Sequence, residues 1–255
     1  MKKKLKEKKK RKLKKFVNLS SELELMVKSI KINNPGLPEK IEQAFRIVDR
    51  KFFVKHSPYS DEALHVAFGQ TISQPTTIAR MLMYLDLFPG LDVLEVGTNT
   101  GYHAALVSWL VYPGTVTTIE IFPELAENAE RNINKLIKHL KSKELKERFK
   151  IQIVVGDALD ENNQIWFKKY DRIYFTAGVS KENLEKVKEM GKTLLKENGL
   201  LLFPSREFFD FGNLQLWKFK NGKLQLVLRE KGYAFVPLLR QKDLEEIYKV
   251  VKRKK

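Results

Sequence analysis

The segment Asp92-Val93-Leu94-Glu95-Val96-Gly97-Thr98-Asn99-Thr100-Gly101-Tyr102 runs from a short apolar strand through a glycine turn into a helix. Such a turn needs residues free of Cβ clashes, and glycine there lets a ligand come close to the backbone. On open α/β sheets, ligands sit beyond the carboxyl ends of the strands. The next strand ends in Glu120, 23 residues after Gly97. That is near the spacing at which an acidic side chain grips a ribose, its two oxygens accepting from two adjacent hydroxyls. A third strand leads into Gly156-Asp157, whose carboxylate is placed to accept from an adenine amino group, with Ala158 offering a backbone amide. Each feature has a plainer reading, such as a turn that only needs glycine or a Glu120 that only caps the helix starting near Pro123. Three of them at successive strand ends point to a nucleoside-bearing ligand. The Gly-x-Asn-x-Gly spacing is not the Gly-x-Gly-x-x-Gly of dinucleotide folds, and no Gly-Lys-Ser/Thr follows a strand as a phosphate loop would.

The elements that must position these residues alternate. Helical spacing is expected over Ser20–Ile32, Pro38–Val48, Thr76–Leu87, Tyr102–Val111, Pro123–Leu140 and Lys181–Leu195, the last closed by Asn198-Gly199. Strands are expected at Asp92–Val96, Thr115–Ile121, Ile151–Val155, Arg172–Thr176 and Leu200–Phe203. Residues 51–75, with Pro58, Gly69 and Pro75, read as an irregular approach segment. Asn221-Gly222 between Leu214–Lys220 and Lys223–Leu228 is a two-residue hairpin signal. The expected fold is therefore α/β and Rossmann-like: a mostly parallel sheet with a C-terminal antiparallel hairpin, preceded by N-terminal helices.

Composition narrows the classes. The 255 residues carry a formal charge of +17. Eleven Lys/Arg against one Glu in residues 1–15, with five Lys/Arg in residues 249–255, account for fifteen of those charges, so the body is near neutral. Runs of like charge repel and stay solvated, so residues 1–19 are expected to be a disordered solubilising tail, weak nucleic-acid contact being the alternative. Cysteine is absent and His56, His65, His103 and His139 lack metal-ligand spacing, so neither disulfides nor a metal site are expected. No apolar run has the length of a signal peptide core or a membrane span, and a cytoplasmic protein without membrane attachment is expected.

With these residues in view, the chain resembles the protein-L-isoaspartate (D-aspartate) O-methyltransferase family over about residues 20–240. The segment Gly69-Gln70-Thr71-Ile72-Ser73-Gln74-Pro75 is similar to that family's active-site stretch, and Val93 to Ala105 to its cofactor turn. Further agreement lies in Val155-Gly156-Asp157, Tyr170-Asp171-Arg172-Ile173, Asn198-Gly199 leading to Leu202-Phe203-Pro204, and Ala234-Phe235-Val236-Pro237-Leu238. The resemblance implies a class I methyltransferase sheet and S-adenosyl-L-methionine as cofactor, held by Glu95, Gly97, Thr98, Asn99, Gly101, Tyr102, Glu120, Gly156, Asp157 and Ala158. It implies methyl esterification of the α-carboxylate of L-isoaspartyl residues in damaged proteins and peptides, which initiates repair through a succinimide. Ser73, assisted by Thr71, is the expected orienting group, and Gln70, Ile72, Val236 and Pro237 the expected peptide contacts. A serine nucleophile is disfavoured because no Gly-x-Ser-x-Gly surrounds Ser73, while a purely structural Ser73 stays open.

The chain departs from the family pattern in places. Asn99 stands at the middle glycine of the cofactor turn, where its side chain is expected to crowd the cofactor. Phe68 is expected to reshape the peptide groove, Thr76 replaces an aromatic or histidine, and Thr176-Ala177-Gly178-Val179 lacks the usual closing proline. An RNA methyltransferase and a cofactor-free binding module on the same fold are therefore kept as alternatives. The expected organisation is one domain over residues 20–240, with helices and active-site segment at 20–75 and the cofactor-binding core at 76–240. A basic helix or tail is expected at 241–255, and a monomer is favoured.

Overall fold

The computed structural model describes residues 20–207 and 211–253, and the expected tail at 1–19 lies outside them. Helix α1 (Ser21–Asn33) starts where Ser20 Oγ accepts from Leu23 N at 3.1 Å, and it buries Leu23, Met26, Val27 and Ile30 on one stripe. Helix α2 (Glu39–Ile47) follows Pro38. The segment expected to be irregular contains a small antiparallel hairpin, β1 (Leu64–His65) with β2 (Thr71–Ile72). Two-residue strands carry too little periodicity to be seen in the sequence. Helix α3 (Pro75–Tyr84) begins two residues beyond Ser73, and its cap comes from afar: Asp61 accepts from both Thr76 N, at 2.8 Å, and the Thr76 hydroxyl. Ser73 therefore sits in a short link pinned by β2 on one side and by a capped helix on the other.

The core then alternates: β3 (Val93–Val96), α4 (Tyr102–Val111), β4 (Val116–Glu120), α5 (Pro123–His139), a single-turn α6 (Lys143–Lys146), β5 (Ile151–Val155), β6 (Tyr170–Phe175) and α7 (Leu184–Leu194). It closes with β7 (Leu195–Pro204), β8 (Phe211–Lys220), β9 (Lys223–Ala234) and α8 (Gln241–Arg253). The seven strands are ordered β5-β4-β3-β6-β7-β8-β9, with β5 to β7 across the first five parallel and β8 and β9 antiparallel. Strand β3 is buried along its whole length, as a central parallel strand must be. The chain moves one way from β3 to β5 and then returns to β6 on the other side, so the ligand crevice falls at the carboxyl ends of β3 and β6. Asn198-Gly199 does not stop a helix. Leu195 already pairs with Tyr170, and Asn198 takes a positive φ of 64° inside β7, where the register shifts.

Each sheet face carries its own core. One face packs Val93, Val116, Tyr174 and Leu202 against α1 to α4, and the other packs Leu94, Ile119, Ile173 and Phe175 against Val187 and Met190 of α7. Helix α8 lays Leu244 on Phe122 and Leu125. Among the described residues no helix is long and apolar enough to cross a membrane. Because Asp61 supplies the cap of the helix that fixes Ser73, Asp61→Ala is expected to cost about 1 kcal/mol of stability, read by urea unfolding; an unchanged midpoint contradicts that role.

Candidate active site

The bend after β3 is built by close approach. Gly97 has φ +100°, and a Cβ there would stand 2.3 Å from Thr176 Oγ1, which donates to Gly97 O at 2.7 Å. Gly101 caps α4 at φ +83° without a side-chain hydrogen bond, so the first N–H groups of α4 are left for other partners. Between them Asn99 takes φ +51°, a left-handed conformation its short polar side chain tolerates.

Asn99, expected to crowd the cofactor, lines the cleft, and its side-chain amide has a backbone partner. Its Nδ2 donates to Thr71 O at 3.0 Å, so the side chain ties the bend to the Ser73 segment. Phe68, expected to reshape the peptide groove, is not among the residues that line the cleft or the Ser73 pocket. Its ring stacks on Phe122 with centroids 4.7 Å apart, and Tyr248 of α8 meets both rings edge-on.

A cleft of about 500 Å³, counted with its open mouth, lies where β3, β4 and β5 end. Of the expected residues, Gln70, Gly97, Asn99, Glu120, Gly156, Ala158, Val236 and Pro237 line it. A neighbouring pocket of about 280 Å³ is lined by Thr71, Ile72, Ser73, Thr98 and Tyr102, and it shares Gly97, Asn99 and Thr176 with the cleft.

The remaining expected cofactor residues are placed otherwise. Glu95 points away from the cleft because side chains alternate along a strand: Leu94 and Val96 join one core, and Glu95 faces the other side. Its carboxyl is fully buried and accepts from Thr118 Oγ1 at 2.6 Å and Tyr174 OH at 2.7 Å. Thr118 Oγ1 also meets Thr98 Oγ1 at 2.7 Å, so Thr98 is spent on supporting the bend from below. Tyr102 packs its ring on Phe45 and Phe53 in the core. Gly101 faces α5, with Ile133 and Ala129 where a Cβ would go.

Asp157 is also committed elsewhere. It accepts from Arg240 Nε at 2.7 and 3.0 Å, Gln241 N at 3.0 Å and Leu159 N at 2.9 Å. This ion pair anchors the chain just after Val236 to Leu239, which form the far wall of the cleft. The sequence reading missed Ile119, Ile121, Phe122, Thr176, Ala177, Leu238 and Leu239 as wall residues. Ile119 and Ile121 could have been found as the neighbours of a strand-end acid. Leu238 and Leu239 have no local signal, since only the Arg240–Asp157 pair brings them there.

Glu120 is the acid at the cleft. Its Oε2 accepts from Asn99 N at 2.7 Å and its Oε1 from Ile121 N at 3.0 Å and Phe122 N at 3.2 Å. A carboxylate has about four acceptor positions, so roughly one is left for a ligand hydroxyl. Burial raises its pKa while the three N–H bonds oppose that rise. The lining thus fits a nucleoside: one acidic acceptor, Glu120, beside apolar walls from Ile119, Ile121, Ala158 and Leu238.

Burial also pushes Glu95 up to about 8 against the lowering bonds from Thr118 and Tyr174, with Glu120 nearby adding to the rise. A carboxyl raised in the folded state stabilises below its ordinary value, near 4.5, and that stability is lost as pH climbs through 8. Glu95→Gln should therefore flatten the fall in thermal midpoint between pH 5 and pH 9; equal slopes in variant and parent would contradict it.

A family model described as protein-L-isoaspartate(D-aspartate) O-methyltransferase matches residues 21–243. A protein-L-isoaspartate O-methyltransferase from Pyrococcus horikoshii is 34% identical over 209 residues, covering 79% of this chain and 85% of its own. One from Fervidobacterium nodosum is 37% identical over 174 residues, covering 66% of this chain and 79% of its own. A Plasmodium falciparum structure described as a protein-L-isoaspartate O-methyltransferase in complex with S-adenosyl-L-homocysteine shares the fold, with a TM-score of 0.70 at 22% identity over 85% of this chain and 97% of that one. With the match spanning the N-terminal helices, the bend and the C-terminal wall alike, the chain belongs to the protein-L-isoaspartate(D-aspartate) O-methyltransferase family.

Proposed function

We propose that the chain methylates the free α-carboxylate of L-isoaspartyl residues in proteins and peptides, with S-adenosyl-L-methionine as donor. The observation that carries this reading is the shared wall. The nucleoside-fitting cleft and the Ser73 pocket have Gly97, Asn99 and Thr176 in common, so a donor in one meets an acceptor in the other. S-adenosyl-L-methionine supplies, when bound, an electrophilic methyl group on a sulfonium.

The residues have positioning work to do. The acceptor carboxylate is already ionised at neutral pH, so no strong base is required. Ser73 makes no hydrogen bond within the described residues, which leaves its hydroxyl to orient the acceptor. Thr71 is held by its carbonyl to Asn99, which fixes Ser73 relative to the bend. Glu120 would hold the ribose, and Gly156, Ala158 and Leu238 would flank the base. Alignment of this kind supplies several kcal/mol of barrier lowering, on the order of 7 or more in favourable cases. Gln70, Val236 and Pro237 in the cleft wall and Ile72 in the Ser73 pocket are the peptide contacts in this reading.

Absent cysteine suits a reducing, cytoplasmic setting. The basic stretches, residues 1–15 and 249–255, serve solubility or weak phosphate contact and stand outside the reaction.

An isoaspartyl peptide and its normal-aspartyl twin, offered with labelled donor, separate this reading from its rivals. Label is expected in the first peptide alone; equal labelling of both, or of neither, contradicts it. In the same assay Ser73→Ala should lower kcat about a hundredfold and leave S-adenosylhomocysteine affinity within about twofold. A parallel loss of affinity would make Ser73 a folding or cofactor residue instead.

A further inference from the structure

We propose that the chain forms a symmetric dimer in which β5 of one copy pairs antiparallel with β5 of a second copy. Strand β5 ends the sheet order and, among the described residues, pairs only with β4. Its hydrogen bonds show which backbone groups are left over. The carbonyl of Lys150 accepts from Val116 N, and Gly156 N donates to the carbonyl of Glu120, so the even-numbered residues spend their backbone on β4. Backbone direction alternates along a strand, which leaves the N–H and C=O groups of Ile151, Ile153 and Val155 facing outward. The same three side chains, with Ile133 and Ile137 of α5, line an apolar groove of about 790 Å³, counted with its open mouth. Val155 there is 49% exposed.

The two edges of the sheet are built differently. A free edge is usually blunted by charges or by irregular pairing. The opposite edge, β9, is blunted both ways: it carries Lys223, Arg229 and Lys231, and its register against β8 shifts twice. Strand β5 reads Ile-Gln-Ile-Val-Val, with no charge and no register shift against β4. It keeps a regular, apolar template for a further strand.

Charge selects a second copy as the occupant and fixes its direction. On α5, Glu127, Glu130, Asn134 and Lys138 follow at intervals of three and four, so the stripe beside the groove runs from acidic to basic. Strand β5 is preceded by exposed Lys146 and Lys150 and followed by exposed Asp160 and Glu161. Because α5 runs opposite to β5, both place their acids at the strand's carboxyl end and their bases at its amino end. A two-fold axis at Ile153 sets the acidic end of each copy against the basic end of the other, whereas a parallel neighbour would set like against like. The same axis opposes Ile151 to Val155 of the second copy and Ile153 to its counterpart, so apolar side chains meet on the groove face. Helix α5 packs on both β4 and β5. With strands about 4.8 Å apart, the two α5 helices then lie about 10 Å apart, an ordinary packing distance. This dimer stands in place of the monomer favoured by the sequence, and it does not depend on the reaction proposed above.

Sedimentation equilibrium of the full chain, from low to high micromolar concentration, reads the assembly. The parent is expected to reach twice the 29.8 kDa of one chain. Ile153→Lys, which sets two ammonium groups face to face on the axis, is expected to hold the mass at one chain throughout. Val227→Lys, at a 57% exposed position on β9, is expected to leave the dimer intact. Each variant is first shown to be folded by thermal melting. Should Ile153→Lys fail to fold, the exposed pair decides instead: Glu127→Lys should weaken the dimer about tenfold, and Glu127→Lys combined with Lys138→Glu should restore it to within about threefold. A parent with any mass other than that of two chains overturns the proposal. So does a dimer that survives Ile153→Lys in a folded variant, or one that Val227→Lys dissociates. Where Glu127→Lys decides, an unchanged dimer or a charge exchange that does not restore it overturns the proposal as well.

Discussion

The site depends on the Glu120 carboxylate closing the end of β4. Its oxygens accept the N–H of Asn99 from the bend after β3 and the N–H groups of Ile121 and Phe122 from the start of α5. Two loops from two different strands are held by one side chain that is 6% exposed, where water cannot compete for those N–H groups. A buried carboxylate is costly unless its hydrogen bonds are made, and three charge-assisted bonds offset that cost while leaving room for one more acceptor contact. The group expected to bind the ribose is therefore also the joint that shapes the cleft.

From that joint the constraints spread toward Ser73. Asn99, fixed at its N–H by Glu120, reaches with its side-chain amide to the Thr71 carbonyl, and Ser73 follows two residues later. Asp61 holds the start of α3 from the other side of Ser73. On the far wall, Arg240 paired with Asp157 pulls Val236 to Leu239 across the opening, and α8 continues onto Phe122, which stacks with Phe68. The cleft and the Ser73 pocket thus share part of their walls, as a transfer governed by alignment would require.

The parts readable in the sequence were those with local causes. Strand ends announced themselves through apolar runs closing in Gly97, Glu120 and Gly156, and the hairpin through Asn221-Gly222, which turns as expected between β8 and β9. The parts that were not readable depend on contacts across the fold. Glu95 looked like a ligand residue from its place in the motif, yet the two-residue period of β3 turns it beneath the bend toward Thr118 and Tyr174. Asp157 looked free for an adenine until Arg240, 83 residues away in the chain, took both of its oxygens. The tie from the Asn99 side chain to the Thr71 carbonyl was not readable, because that partner is a backbone atom whose position only the assembled fold defines. The stacking of Phe68 on Phe122 was hidden too, since the third ring of that cluster, Tyr248, comes from α8.

Titrating S-adenosylhomocysteine into the parent chain and into Glu120→Gln, each first shown to be folded by thermal melting, tests this arrangement most directly. The parent should bind, and the variant, which loses the charge but keeps the shape, should bind at least about tenfold more weakly, the scale of one hydrogen bond to a charged group. Equal affinity in the two, or no binding by the parent, would contradict the placement of the nucleoside against Glu120.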